Sequence, residues 1–202
     1  HHTEGTAPQF GIDIEGQGRD DHDILIRGNV FHHNRGGDIV NCSGRNVWVE
    51  DNDFDQTGLT EAQTDGPYIH WKNTDQTIRG NTFTVTVGSS NGRWGVLGYS
   101  SENDRTNPAG NYIEDNTFVG GGLHMTYNTI YHVIGNTVYD WMILGSNLKC
   151  LRLRDNAVNN SGETYKFRDV FGLASGNRVN DEPIELDMSD DAPFTNSPPH
   201  MW

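Results

Sequence analysis

The chain has 202 residues, a length that suits one domain or a stack of repeats. Only 33% of them are hydrophobic and the mean hydropathy is −0.70, values that lean toward disorder, but an aromatic content of 10% supplies large side chains to bury. A net charge of −14 repels nucleic acid and anionic lipid heads, and no stretch approaches the roughly 18 apolar residues of a membrane helix, so neither nucleic acid nor membrane insertion is expected.

Residues 1–9 read as a lead-in. His1-His2-Thr3-Glu4 has neither a basic-apolar signal pattern nor an initiator Met, which suits a fragment end, a processed product or a tag remnant. From residue 10 onward two short phrases alternate. One is a strand-like run of period two: Ile12-Asp13-Ile14-Glu15, Asp38-Ile39-Val40-Asn41, Ile69-His70-Trp71-Lys72, Gly95-Val96-Leu97, Leu123-His124-Met125-Thr126, Met142-Ile143-Leu144, Tyr165-Lys166-Phe167-Arg168 and Ile184-Glu185-Leu186-Asp187. The other is a six-residue phrase: apolar, any, Gly or Asp, Asn, any, Phe or Val. It runs from Ile26-Arg27-Gly28-Asn29-Val30-Phe31 through copies centred on Asn52, Asn81, Asn116 and Asn136 to degenerate copies at Asn156 and Asn177. No window carries the i, i+3, i+4, i+7 spacing of a helix.

A unit of about 21 residues with two or three short strands cannot bury its apolar face alone; stacked units cover one another. The expectation is an all-β, right-handed parallel β-helix of about seven to eight coils over residues 10–188. The repeated Asn should sit inside each turn and bond the Asn of the next rung, and the Gly or Asp before it suits a positive-φ residue. The repeat resembles the pectin-lyase-like β-helix superfamily, and Phe10-Gly11-Ile12-Asp13-Ile14-Glu15 is similar to a motif of phage tailspikes and appendages. The polygalacturonase hallmarks Asn-Thr-Asp and Gly-His-Gly are absent. The resemblance implies a surface polysaccharide as partner, bound and depolymerised by a hydrolase or lyase. It also implies a place on a virion tail if phage-derived, otherwise secreted or at the cell surface, and assembly as a homotrimer or within a longer chain.

If Ile12, Ile14, Ile39, Ile69 and Trp71 point inward, their neighbours form an outward column. Asp13, Glu15 and Asp38 then make an acidic centre in which like charges raise at least one pKa, as glycoside hydrolysis requires. His70 follows as general acid or base, and Lys72, Arg93, Tyr99 and His124 would hold the glycan. Two long insertions, around 56–67 and 99–110, flank the His70 rung as binding walls. The alternative is a non-catalytic structural or adhesive β-helix whose charged column is a solvated face. No cofactor or metal is expected: His22, His32 and His33 fall in turns without zinc-ligand spacing, and the Asp51–Asp55 run lacks the Gly and Glu of a calcium loop. Cys42 and Cys150 fall four coils apart, beyond disulfide reach. Residues 189–202, with Ser197-Pro198-Pro199, read as an extension or linker.

Overall fold

The computed structural model describes residues 11–14, 21–34, 37–41, 44–55, 57, 69–71, 75–84, 94–99, 110–126, 130–186 and 188. Among them there is no helix, and every strand pairing but one is parallel. Glu15, Lys72 and Arg93 lie outside the described residues, as does Cys42.

Three faces stack along the axis. The first consists of β1 (Ile12–Ile14), β4 (Ile39–Asn41), β7 (Ile69–Trp71), β10 (Trp94–Tyr99) and β13 (Gly122–Thr126). The second consists of β2 (His22–Arg27), β5 (Arg45–Glu50), β8 (Gln76–Arg79), β11 (Gly110–Glu114) and β14 (Ile130–Ile134). The long strands β16 (Ile143–Arg154) and β18 (Tyr165–Ser175) run through both. The third face is β3 (Val30–His32), β6 (Asp53–Asp55), β9 (Thr82–Thr84), β12 (Thr117–Val119), β15 (Thr137–Tyr139), β17 (Ala157–Asn159) and β19 (Arg178–Val179), closed by the antiparallel β20 (Glu182–Pro183).

The expected ladder forms at the corner between the second and third faces. From Asn29 to Asn177, each Asn Nδ2 donates to the Oδ1 of the next Asn at 3.0–3.1 Å. From Asn52 onward the second Nδ2 proton goes back to a carbonyl of the preceding coil, such as Ile78 for Asn116. Each Oδ1 also accepts the backbone N–H of the Asn one rung earlier. From Asn52 onward these side chains are buried, so the ladder satisfies groups that water cannot reach.

The residue before each Asn has positive φ: Gly28, Asp51, Gly80, Asp115, Gly135, Asp155 and Gly176, between 53° and 69°. Gly and Asp alternate there for a steric reason. A Cβ on Gly80, Gly135 or Gly176 would lie 2.1–2.7 Å from the carboxylate of Asp51, Asp115 or Asp155 on the preceding rung. The alternation also keeps two carboxylates from facing each other across one rung. Beside the ladder, Phe31, Phe54, Phe83 and Phe118 stack with centroids 4.7–4.8 Å apart, the rung spacing itself, and Val138 and Val158 continue the buried column.

The repeat ends differently from expectation. Ile184–Leu186 form no strand; instead Ile184 and Leu186 pack on the core, and Met188 is buried with its carbonyl accepting from Gly172 N–H. Glu185 therefore does not continue the outward column. His22 opens β2 and His32 closes β3, so neither lies in a turn. Cys150 is a free, exposed thiol within β16.

Candidate functional site

On the first face, register aligns Asp13, Val40, His70, Leu97, His124, Leu144 and Lys166 across seven successive strands. His70 and His124 thus share a column, two rungs apart. Tyr99 falls in the next column, aligned with Thr126, Ser146 and Arg168. Asp13 is exposed, as expected of an outward position, whereas Val40 is buried and His124 and Lys166 are half-buried. Desolvation depresses the His124 pKa to about 4, so its imidazole is neutral at neutral pH.

Asp38 is not part of that column. The neighbour of Asp13 is Val40, two residues on, and Asp38 precedes β4 with its carbonyl accepting from Ile12 N–H. Its side chain is fully buried. Oδ1 accepts from Asn34 Nδ2 at 2.5 Å, and Oδ2 has no partner among the described residues. Burial pushes its pKa up to about 7. The acidic centre of Asp13 with Asp38 is therefore not assembled: a strand residue and a buried pre-strand residue replace two outward neighbours.

The second face carries a different column: Leu25, Trp48, Thr77, Tyr112, His132, Arg152 and Leu173. Trp48 and Tyr112 are 36% and 40% exposed. They line a cavity of about 340 Å³ together with Asn46, Gln76, Thr77, Arg79, Gly110 and Glu114. Trp48 is fixed from two sides. Its Nε1–H donates to Asn46 Oδ1 at 2.8 Å, and the Arg79 guanidinium lies 5.8 Å from its ring centroid. Arg79 is held in turn by Glu50, at 2.5 Å. Tyr112 stacks on His132 with centroids 4.7 Å apart and planes within 7°.

Because that stacking distance equals one rung, one Tyr112 face looks along the axis at His132 and the other looks toward the Thr77 rung. Trp48 stands on the far side of Thr77. Two rungs separate the aromatic strands by about 9.6 Å, and a flat ring in van der Waals contact with both needs about 7–8 Å. Thr77 is the small side chain of the intervening rung, whose Arg79 lies over the Trp48 ring, and Gly110 lies under the edge of Tyr112, where a Cβ would sit 3.2–3.4 Å from its atoms. Beyond the stack, burial and the Arg152 charge lower the His132 pKa against the opposing pull of Glu114. Neither Trp48 nor Tyr112 stood out in the sequence by motif. The available signal was the repeat itself: every residue of this column stands four positions before a ladder Asn.

The profile of the family described as periplasmic copper-binding protein (NosD) matches residues 3–141, more than half of the chain, and the chain belongs to that family. An uncharacterized protein of Bacillus subtilis (strain 168), YclG, is 42% identical over 59 residues, which cover 26% of this chain and 10% of that protein. The chain thus spans about a tenth of that relative's length. No solved structure matches. The fold and the family agree on a parallel β-helix, and the family's description places its members in the periplasm.

Proposed function

We propose, with membership of the NosD family as the premise, that this chain is an extracytoplasmic β-helix whose second face binds a polysaccharide. The observation that carries the reading is the slot over Thr77, walled by Trp48 and Tyr112 and rimmed by Arg79, Glu114 and Asn46. A pyranose ring presents apolar C–H faces and an equatorial fringe of hydroxyls. Aromatic walls with charged and amide groups at the rim match both surfaces. The repeating rungs also suit a repeating ligand, with His132 and Arg152 extending the column beyond the slot. Screening the protein against a panel of bacterial surface glycans, by binding and by chain length, tests this. Binding to at least one glycan is expected, and no binding across a broad panel would overturn it.

Depolymerisation is the second reading. Its candidate base is His124, half-buried on the first face, although burial lowers its pKa to about 4 and makes it a weak proton acceptor. Chain shortening that disappears in His124→Gln would support it, and an intact glycan after prolonged incubation would exclude it for that glycan.

Copper is named in the family's description. Imidazole suits divalent copper. Among the described residues no three His, Cys, Asp or Glu side chains converge, so a site built from them would be open and of few protein ligands.

A further inference from the structure

We propose that the second-face slot selects a sugar carrying a free, protonated amine, and that Asp75 is the residue that recognises it. The inference rests on the glycan reading above and narrows it to one class of ligand, an amino sugar without its acyl group. Asp75 lines the same cavity. It precedes Thr77 by two residues, so its side chain leaves the backbone on the same outward side, about 6.6 Å along the floor of the slot. Carried back two residues, the pairings of β8 set Asp75 opposite Asn46 on β5 and opposite Gly110 on β11.

Both aromatic walls lean toward this end of the slot. Trp48 Nε1–H donates to Asn46 Oδ1 at 2.8 Å, so the indole reaches back along β5 toward Asn46. A Cβ on Gly110 would lie 3.3 Å from the Tyr112 hydroxyl oxygen, so the phenol folds back over Gly110. His132 stacks on one face of Tyr112 and leaves the other to the rung that carries Asp75 and Thr77. A carboxylate set between two aromatic faces suits a cation, which pairs with the charge and is attracted by the ring quadrupoles.

The charges around the slot agree. Among the described residues the half-buried Asp75 carboxylate has no hydrogen bond and no ion pair; only its backbone carbonyl is used, accepting from Val47 N–H and Gln76 Nε2. Its cross-strand neighbours, Asn46 and Gly110, bring no cation. Arg79 stands at the other end of the floor, four residues on, and is held by Glu50. Glu114, its neighbour on β11, adds a carboxylate without an ion pair among the described residues. The Arg79–Glu114 end thus offers a donor and an acceptor to sugar hydroxyls, whereas the Asp75 end offers only negative charge. An acylated amine would leave that charge unpaired, and a uronic acid would be repelled by it. Arg152, three rungs or about 14 Å from Thr77, lies beyond the screening length of about 8 Å.

The test is a calorimetric titration of the full chain with a trimer of β-1,4-linked glucosamine and with its fully N-acetylated counterpart, at about pH 5.5, where the amines are protonated. The amine trimer should bind about tenfold or more tightly. Asp75→Asn should bring it down to the affinity of the acetylated trimer, with the denaturation midpoint unchanged, since the carboxylate bonds nothing in the fold. Because the chain carries a net charge of −14, Asp53→Asn, exposed on the third face, supplies the same loss of charge away from the slot and should keep the preference intact. Equal affinity for the two trimers, tighter binding of the acetylated one, or a preference that survives Asp75→Asn or vanishes in Asp53→Asn would each overturn the assignment and leave the glycan slot standing. So would failure of both trimers to bind while another surface glycan binds. If no glycan binds at all, the polysaccharide reading itself falls, and the amine with it.

Discussion

The ladder corner and the second face belong to the same coils and follow opposite rules. At the corner, six Nδ2-to-Oδ1 bonds link seven asparagines through one geometry repeated rung by rung. Four positions earlier in each coil, the outward residue is Leu, Trp, Thr, Tyr, His, Arg and Leu in turn. Burial explains the first pattern, since an Asn inside the turn must find partners there and the next Asn is the partner at hand. The second pattern is free of that demand, because its side chains face water, so its composition can be set by a ligand.

The largest effect expected from breaking this contrast is at the ladder. Asn116→Ala removes the acceptor of Asn81 N–H and the donors to Ile78 O and Asn136 Oδ1, all within the core. It should cost about 2–4 kcal/mol in denaturant unfolding, with little change at the outward face. A smaller effect, of the opposite sign, is expected at Asp38. The folded chain holds the Asp38 proton up to about pH 7, whereas the unfolded chain releases it near 3.8. Stability from this group is thus greatest below about pH 4 and is lost as pH rises toward 7. Asp38→Asn should remove that slope and raise stability at pH 8 by on the order of 1–3 kcal/mol. His124 works the other way, because its folded pKa of about 4 makes stability rise from about pH 4 to 6.5; the difference between wild type and Asp38→Asn isolates Asp38. Gly135→Ala sharpens the steric account of the Gly–Asp alternation. Its Cβ would meet Asp115 Oδ1 at 2.2 Å in a turn with φ 69°, so a cost of about 1–2 kcal/mol is expected. Asp115→Ala in the same chain should recover part of it by opening the space.

Much of the scaffold is legible in the residues. The Asn spacing, the Gly or Asp before each Asn and the Phe after it fix the corner, the positive φ and the buried ring stack. The first-face register is also legible where apolar residues pin it: Ile14, Ile39 and Ile69 are buried, and His70 and His124 share a column as expected. The Asp13–Asp38 pairing is not, because alternation within one strand does not say which residue of the next strand lies opposite. Ile39 pairs with Ile12, which moves Asp38 off the strand and into the interior. The tail misleads for a related reason, since Ile184 and Leu186 satisfy a strand pattern but cover the last coil without pairing. The Trp48–Tyr112 slot had a signal in the alignment of the repeats, yet polar and aromatic residues one step outside a buried run look like ordinary surface until their rungs are stacked.

The most direct test of the central claim is a calorimetric titration of Trp48→Ala with a glycan that the wild-type chain binds, alongside its denaturation midpoint. Loss of one aromatic wall should weaken binding by about two- to tenfold, from roughly 0.5–1.5 kcal/mol of ring contact, while the midpoint stays at that of the wild type, because Trp48 faces outward and takes no part in the ladder. Unchanged affinity would place the glycan elsewhere and contradict the account.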